Sequence, residues 1–213
     1  MKITKENIEE YANDHSEEES ELLTTIRRET HLRSVYPQML SGNHQGKLLG
    51  LLAKISKAKT ILEIGSFTGY SAVAMAEMTS HDTEIHTIEA NEEFETFLLN
   101  TFEKGGFSKR IHLHMGKALK VIPQLDIEPD FIFIDADKIN YLNYYKMVLP
   151  MLKAGGIIVT DNVLWSGKVL QPDPLCHADT LAIKEFNDFT QKDEKVFNIL
   201  LPLRDGIMVI VKK

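Results

Sequence analysis

Three oxygen-bearing side chains follow two apolar segments that are typical of buried strands. Asp135 closes the first segment, residues 130–135, and Asp161 and Asn162 follow the second, residues 156–160. Short runs of β-branched and aromatic residues are typical of central strands in a parallel sheet. Ligands of open α/β sheets bind beyond the carboxyl ends of such strands. The two carboxylates and the amide oxygen therefore predict a site for one divalent ion, Mg²⁺ first and Ca²⁺ or Mn²⁺ as alternatives.

A lysine lies beside this predicted metal site. Lys138 comes three positions after Asp135, which is one helical step. An amine in this position can accept a proton from a substrate hydroxyl or stabilise the resulting anion. Lys138 and Asp135 are therefore the candidate catalytic residues. A single acid at a strand end is often only a helix cap, and this alternative stays open for Asp137 and Asp161.

Composition restricts the class of protein. A chain of 213 residues with 43% hydrophobic and 26% charged residues can form one domain with a full core. The formal net charge of −7 argues against nucleic acid as a partner, because nucleic-acid binding requires a basic face. No apolar run is long enough to span a membrane, and residues 1–20 lack the apolar core of a signal peptide. Cys176 is the only cysteine, so we expect no intrachain disulfide and a cytoplasmic location.

Strand and helix patterns alternate along most of the chain. This alternation predicts an α/β fold with a doubly wound, mostly parallel sheet of seven strands. Residues 202–205 are too few for a crossover helix, so the last two strands should form an antiparallel hairpin. The predicted strands are 60–64, 84–89, 111–115, 130–135, 156–160, 196–201 and 206–211, and the predicted helices between them are 70–78, 92–104, 117–124, 141–153 and 178–191.

Helices are also expected before the first strand. Residues 16–19 form a capping box, in which Ser16 caps a helix that runs to about His31 and Glu19 reaches back to the cap. Leucine and isoleucine at helical spacing predict a second helix over residues 45–55. Later in the chain, the pairs Gly105-Gly106 and Gly155-Gly156 are expected to end helices.

A glycine-rich turn follows the first predicted strand and opens a helix. Gly65 lets the backbone approach a ligand closely, but Phe67 occupies the second glycine position of a dinucleotide fingerprint. A small zwitterion therefore fits this turn better than a pyrophosphate does, and Glu89 at the end of the next strand can bind a ribose diol. A turn that serves only the strand-to-helix geometry is the alternative. The candidate cofactor-binding residues are Met39, Glu63, Gly65, Ser66, Phe67, Tyr70, Ser71, Glu89, Ala118 and Asp135.

Three motifs carry a resemblance to a known family. They are Glu-Ile-Gly-Ser-Phe-Thr-Gly-Tyr-Ser at 63–71, Phe-Ile-Asp-Ala-Asp-Lys-Ile-Asn-Tyr at 133–141 and Gly-Gly-Ile-Ile-Val-Thr-Asp-Asn-Val-Leu-Trp-Ser-Gly at 155–167. From about Met39 onward the sequence resembles the cation-dependent O-methyltransferases of the caffeoyl-coenzyme A type and their bacterial relatives, and more distantly catechol O-methyltransferase. In the middle of the loop 39–46, the sequence differs from the Pro-Glu-Gln-Gly motif that is usual in this family.

The resemblance implies a fold, a cofactor and an assembly. It implies a class I methyltransferase sheet that binds S-adenosylmethionine, in a homodimer whose N-terminal region selects the acceptor. We therefore expect one methyltransferase domain over residues 1–213, with 1–43 as a helical extension and lid. Leu22, Leu23 and Ile26, which lie beside a charged face, are candidates for the dimer contact.

Methyl transfer to oxygen requires an acceptor hydroxyl that is deprotonated or nearly so. A divalent ion on two vicinal oxygens lowers the pKa of a phenol or catechol from its usual value near 10. The sequence thus predicts divalent-cation-dependent methylation of a catechol-like or hydroxycinnamoyl small molecule. A nicotinamide oxidoreductase is one alternative, and a non-catalytic nucleoside-binding module is another. The missing fingerprint glycines count against the first alternative, and the metal ligands with Lys138 count against the second.

Several other residues have side chains that could take part in chemistry, but most of them are expected to have a packing role. His112 and His114 share one strand face, which is weak support for a metal site without further ligands. Tyr141, Tyr144 and Tyr145 follow helical spacing, and packing is the more frequent role at such spacing. Trp165 is predicted to lie at the acceptor mouth because it follows a strand in a loop.

Overall fold

The structure is a computed structural model that describes residues 6–213. Within this range, helices α1 to α3 precede the first strand, and strands and helices then alternate as the sequence predicts. The elements are α1 (Glu6–Asp14), α2 (Glu21–Arg33), α3 (Gly42–Ile55), β1 (Thr60–Ile64), α4 (Tyr70–Met78), β2 (Glu84–Glu89), α5 (Glu95–Lys104), β3 (Ile111–Met115), α6 (Ala118–Val121), β4 (Phe131–Ile134), α7 (Tyr141–Met151), β5 (Ile157–Thr160), α8 (Ala178–Lys192), β6 (Val196–Leu201) and β7 (Ile207–Lys212).

The strands form a single seven-stranded sheet in the order β3-β2-β1-β4-β5-β7-β6. The first five strands pair in parallel, and β7 pairs antiparallel with both β5 and β6. The predicted doubly wound sheet with a reversed C-terminal hairpin is therefore confirmed. Strands β2 and β3 lie on one side of β1, and β4 and β5 lie on the other, so the strand order reverses between β1 and β4. Because β1 and β4 are parallel, the loops after these two strands open beside each other at one edge.

Each face of the sheet carries its own apolar core. On one face, Ile61, Ile85 and Phe133 pack against helices α2 to α5. On the other face, Ile64 and Ile132 pack with side chains of α6, α7 and α8. The central strands are buried on both faces, which explains why β4 and β5 read as continuous apolar runs rather than as alternating patterns.

The prediction of a capping box at residues 16–19 is wrong. Helix α2 begins at Glu21, and the hydroxyl of Ser20 accepts the backbone N–H of Leu23 as the N-cap. Ser16 instead donates to the carbonyl of Ala12 in the preceding helix. Glu19 does not reach back to a cap, because its two oxygens accept hydrogen bonds from Tyr70 Oη and Arg27 Nε.

One of the two predicted glycine caps is also wrong. Gly105 is the C-cap of α5, as expected, and Gly106 follows with a positive φ of 71°. Helix α7 ends earlier, at Met151 with Leu152 as its C-cap. The pair Gly155-Gly156 forms the turn before β5, in which Gly155 donates from its backbone to the carbonyl of Lys212.

The apolar side of α2 is buried inside this chain. Leu23 and Ile26 are only 2% and 1% exposed and belong to the core that α2 shares with α3, α4 and the sheet. Leu22 packs partly against the same core. These three residues therefore do not present an apolar surface to a second subunit, and the predicted homodimer loses this support. None of the helices described combines the length and the apolar character needed to cross a bilayer.

Candidate active site

The two candidate metal-binding carboxylates follow strands that are adjacent in the sheet. Ile134 of β4 is in register with Thr160 of β5, so Asp135 and Asp161 occupy the next position on each strand. The backbone N–H of Asp161 donates to the carbonyl of Ile134, which continues the ladder by one residue. Neighbouring strands lie about 4.8 Å apart. The parallel register thus brings both carboxylates to one edge of the sheet.

Asp161 is the more buried of the two acids, at 3% exposure. Burial, with a further contribution from the nearby charge of Asp135, raises the pKa of Asp161 to about 6. Gln45 opposes this shift, because its amide nitrogen donates to Asp161 Oδ2 at 2.7 Å. Arg204 Nη1 in turn donates to Gln45 Oε1 at 2.5 Å. Two residues from distant segments thus hold one side of this carboxylate.

The third candidate ligand sits on an unusual backbone. Asn162 has a φ of +57°, in the left-handed region that asparagine tolerates better than most residues. Its backbone N–H donates to Asp161 Oδ1 at 2.7 Å. This hydrogen bond fixes the backbone of Asn162 beside the preceding carboxylate. Both oxygens of Asp161 therefore accept a hydrogen bond, Oδ1 from the backbone of Asn162 and Oδ2 from Gln45.

The amine of Lys138 lies at the same edge of the sheet as the two carboxylates. Its Nζ donates to Asp135 Oδ1 at 2.9 Å and also to the hydroxyl of Tyr141. The lysine side chain is only 11% exposed, and its Nζ lies 5.9 Å from the centre of the Trp165 ring. Tyr141 is fully buried and donates to the carbonyl of Asp161 at 3.0 Å. A continuous chain of contacts therefore joins the lysine to both acids.

Gly65 sets the distance between the glycine-rich turn and Asp135. Its φ is +99°, and a Cβ atom at this position would lie 2.0 Å from the backbone oxygen of Asp135. The chain therefore requires glycine here on two counts, conformation and space. The close approach places the predicted cofactor turn directly against the predicted metal edge.

Glu89 organises the far side of the glycine-rich turn. Its Oε2 accepts the backbone N–H of Phe67 at 2.7 Å, and its Oε1 accepts that of Asn91 at 2.8 Å. Each carboxylate oxygen has two lone pairs, so both oxygens can still accept a hydroxyl of a ribose diol. Phe67 has a φ of +51° and packs its ring edge-on against Phe94 at 5.0 Å.

Buried polar groups without partners lie under the same turn. Glu63 is fully buried, and burial raises its pKa to about 8, although the hydroxyls of Ser71 and Thr87 oppose the shift. Its Oε1 and the hydroxyl of Ser66 have no hydrogen-bond partner in the part of the chain that the structure describes. Unpaired buried polar atoms are rare in proteins, so these two atoms are suited to a polar ligand.

The remaining candidate cofactor-binding residues differ in how exposed they are to solvent. Met39 is 57% exposed at the end of a short helical turn, and Ala118 is buried at the start of α6. The ring of Tyr70 packs under Gly46 of α3, and its hydroxyl donates to Glu19 rather than towards the turn. Burial raises the pKa of Tyr70 well above its usual value.

Sequence reasoning missed three residues of this site. It treated Tyr141 as packing, although the hydroxyl of this residue links Lys138 to Asp161. It also did not single out Gln45 or Arg204. The Gln-Gly pair at residues 45 and 46, which the loop shares with the related family, was the available signal for Gln45. For Arg204, in the hairpin turn, the sequence offers no comparable signal.

The donor set fits a divalent cation. Asp135, Asp161 and Asn162 offer only oxygen atoms, which Mg²⁺ and Ca²⁺ prefer. The mutual repulsion of the two carboxylates contributes to the raised pKa of Asp161. A bound cation relieves this repulsion, so the electrostatics of the site fit a positive ion as well as its donor chemistry does.

His112 and His114 lie on β3, which pairs with β2. Their side chains share one face of the sheet with those of β2, where His86 pairs with His112 and Ile88 pairs with His114. Burial, followed by the neighbouring histidines, lowers the pKa of His86 to about 4. The prediction that His112 and His114 only pack is thus incomplete, because His86 forms a group of three histidines with them.

Comparison with known proteins agrees with this geometry. A model of the family described as O-methyltransferase matches residues 13–213. A probable caffeoyl-CoA O-methyltransferase 2 of Dictyostelium discoideum is 32% identical over 211 residues, covering 97% of this chain and 91% of that protein. A methyltransferase of Podospora anserina, solved with S-adenosylhomocysteine bound, is 31% identical with a TM-score of 0.90, covering 97% of this chain and 94% of that one. An O-methyltransferase of Bacillus cereus, also solved with S-adenosylhomocysteine, is 28% identical with a TM-score of 0.89, and 97% of each chain is covered.

These matches extend over almost the whole of the chain. The chain therefore belongs to the O-methyltransferase family, as an S-adenosylmethionine-dependent enzyme of the caffeoyl-coenzyme A O-methyltransferase type. The family resemblance stated from the three motifs is confirmed, and the oxidoreductase and the non-catalytic module are excluded.

Proposed function

We propose that this enzyme methylates one hydroxyl of a catechol-like or hydroxycinnamoyl-type small molecule, with the help of a divalent cation. The observation that carries the proposal is the buried carboxylate of Asp161, placed in register with Asp135 and joined to Lys138 through Tyr141. An oxygen-only donor set beside an amine is suited to binding and deprotonating a hydroxyl.

Asp135, Asp161 and Asn162 would hold the cation, with the acceptor oxygens completing its coordination. When bound, Mg²⁺ supplies a Lewis acid that lowers the pKa of the acceptor hydroxyl. Lys138 is positioned by Asp135 and Tyr141 so that its amine can take the hydroxyl proton or stabilise the oxyanion. Gln45 keeps a carboxylate oxygen of Asp161 oriented, so that the acceptor is presented in a fixed direction.

Glu89 and the turn at Gly65 would hold S-adenosylmethionine at the neighbouring strand ends. The relatives solved with S-adenosylhomocysteine support this assignment, since their folds cover 97% of this chain. Glu89 would bind the ribose hydroxyls, while Ser66 in the turn and Glu63 at the end of β1 offer oxygens that have no partner among the described residues. Because Gly65 contacts Asp135, the methyl donor and the acceptor can share one rim. In-line placement of the two reactants supplies much of the rate acceleration.

The test is an assay of methyl transfer to catechols and hydroxycinnamoyl thioesters, with Mg²⁺ or with excess EDTA. We expect turnover of vicinal diphenols only with the cation, and little turnover of matched monophenols. Cofactor binding, measured by calorimetry, should survive chelation because the acceptor is the main partner of the cation. Full turnover in EDTA would show that the carboxylates have a structural role.

The cofactor assignment has its own test. Glu89→Ala should weaken S-adenosylmethionine binding by about 1.5–3 kcal/mol for each charge-assisted hydrogen bond that is lost. Glu92→Ala changes an exposed acid three positions further along the chain and serves as the control. Equal affinity in the two variants would contradict the role of Glu89. A homodimer and a cytoplasmic location stay predictions.

A further inference from the structure

A second group of metal-binding side chains lies on β2 and β3, away from the strand ends used above. It consists of Glu84 and His86 on β2 and His112 and His114 on β3. The parallel register pairs His86 directly with His112, so their side chains share one face of the sheet. One ligand atom each from Glu84, His86 and His112 can be chosen so that all lie within 4.8 Å of one another.

The hydrogen bonding of this group is incomplete. His86 Nδ1 lies 3.0 Å from His114 Nε2, so these two rings share one proton between them. Nε2 of His112 is buried and has no hydrogen-bond partner among residues 6–213. Leaving a buried polar atom unpaired is energetically costly. A role in packing alone does not explain why polar rings stand here rather than apolar ones.

We propose that Glu84, His86 and His112 bind a divalent transition-metal ion, for which Zn²⁺ is the natural representative. Two imidazole nitrogens and a carboxylate oxygen form a donor set that favours zinc, whereas Mg²⁺ and Ca²⁺ favour oxygen alone. In a tetrahedral zinc site the donor atoms lie about 3.4 Å apart. Side-chain movements that shorten each donor–donor distance by about 1.4 Å or less would bring the three ligands from a spacing within 4.8 Å to that distance.

His114 would support the site rather than bind the ion. Metal-binding histidines usually use their second ring nitrogen for a hydrogen bond that fixes the ring. The contact between His86 Nδ1 and His114 Nε2 supplies such a bond and leaves Nε2 of His86 for the metal. Glu84 is exposed, so the ion can enter from solvent.

The site is separate from the methyl-transfer site. Glu84 begins β2 and Glu89 ends it, which places Glu84 about 16 Å from the strand ends along β2. Asp161 follows β5, three strands across from β2, which adds about 14 Å. A bound ion would join β2 to the edge strand β3, and it would stabilise the folded chain by mass action. The proposal does not depend on the function proposed above.

Zinc titration of the purified chain tests the proposal, in buffer with millimolar Mg²⁺ to compete for the oxygen ligands. Calorimetry should show one Zn²⁺ per chain, and the thermal unfolding midpoint should rise with Zn²⁺. Co²⁺ in place of Zn²⁺ should give the visible absorption bands of a nitrogen-containing site. His112→Ala should lower the zinc affinity at least tenfold, and Glu84→Gln, at an exposed position, should lower it without affecting folding.

Two control variants make the outcome decisive. His81→Ala removes an exposed histidine outside the group and should leave zinc binding unchanged. Asp161→Asn removes a candidate ligand of the other site and should also leave it unchanged. The proposal is overturned if the wild-type chain does not bind Zn²⁺, if Glu84→Gln binds as tightly as the wild type, or if Asp161→Asn abolishes binding.

Discussion

The amide nitrogen of Gln45 donates a hydrogen bond of 2.7 Å to Oδ2 of Asp161, across 116 positions of the sequence. Gln45 is itself held by Arg204, whose guanidinium also donates to the carbonyl of Leu40. The candidate metal site is therefore supported from the helix before the sheet and from the hairpin after it. The ligand residues alone do not define the site.

Gln45→Leu should weaken binding of Mg²⁺ about 10- to 100-fold, as is typical when a partner of a metal ligand is lost. The hydrogen bond from Gln45 lowers the pKa of Asp161, which is already about 6. Without this bond the pKa rises further, and less of the carboxylate is ionised at pH 7. The deficit in metal affinity should therefore shrink as the pH rises towards 8.5.

The control for this variant is Gln124→Leu, which changes an exposed glutamine whose amide bonds only to the carbonyl of Lys120. It should bind Mg²⁺ as the wild type does. Calorimetric titrations at two pH values measure both variants, and circular dichroism checks that each is folded. A deficit for Gln45→Leu that stays constant with pH would contradict the protonation argument.

Lys138→Met should lower kcat about 10²- to 10⁴-fold, which is the usual contribution of proton transfer by a positioned side chain. The affinity for S-adenosylmethionine should change little, because Lys138 contacts Asp135 and Tyr141 rather than the glycine-rich turn. The loss should be smaller for acceptors whose hydroxyl has a lower pKa, since these need less help. Steady-state kinetics over a series of substituted catechols measures this dependence.

Lys168→Met is the matched control for this lysine. Lys168 is exposed, and its Nζ lies 5.6 Å from the same Trp165 ring that Lys138 approaches at 5.9 Å. Both variants lose a lysine near one aromatic ring, but only Lys138 contacts Asp135. If both variants lower kcat equally, the effect comes from the ring and not from the proton acceptor.

Gly65→Ala should destabilise the fold more than Gly106→Ala does. Both glycines have a positive φ, which costs an alanine about 1–2 kcal/mol. At Gly65 the new Cβ meets the backbone oxygen of Asp135 at 2.0 Å, whereas at Gly106 no atom of the described residues lies within 4 Å beyond its chain neighbours. The extra loss should be about 1–3 kcal/mol.

Urea unfolding of the two glycine variants measures this difference. The Gly65→Ala variant should also bind Mg²⁺ more weakly, because the backbone of Asp135 must shift to accept the methyl group. Equal stability of the two variants would mean that the contact relaxes without cost.

Glu63→Gln should stabilise the cofactor-free protein, and more so at higher pH. The pKa of Glu63 is about 8 in the folded chain, raised by burial from an ordinary value of 4.5. The folded state therefore holds the proton more tightly than the unfolded state does. Stability from this group is complete below about pH 4.5, falls as the pH rises, and is lost by about pH 8.

The variant has no such proton, so its advantage over the wild type should grow between pH 5 and pH 8, to on the order of 3–4 kcal/mol. Urea unfolding at several pH values measures it, with Glu92→Gln at an exposed position as the control. A constant difference between the wild type and Glu63→Gln across this range would show that the carboxyl is not protonated in the fold.

Much of the fold follows from local patterns in the sequence. Strands β4 and β5 are runs of apolar residues because both faces of the sheet are covered, and the polar residue that ends each run marks the edge of the sheet. The adjacency of Asp135 and Asp161 follows once parallel pairing is assumed. These features depend on neighbours in the sequence, so the sequence alone predicts them.

The errors arose where tertiary contacts override local signals. Residues 16–19 fit a capping box better than Ser20 does, yet the helix begins after Ser20, and Leu23 and Ile26 on it are buried in the core. Glu19 is then used by Tyr70, 51 positions away. The contact between Gln45 and Arg204 spans 159 positions and has no local pattern at all. Neither contact can be recognised without the fold.

The strand order also constrains how the enzyme can be made. β6 precedes β7 along the chain, but β7 lies between β5 and β6 in the sheet. During synthesis β6 therefore leaves the ribosome with no strand to pair with, and β5 keeps an open edge beside Asp161 until residues 207–212 appear. Arg204 reaches Gln45 only when this hairpin closes. The methylation site should consequently mature after most of the chain has been translated, with a late insertion of one strand as its final step.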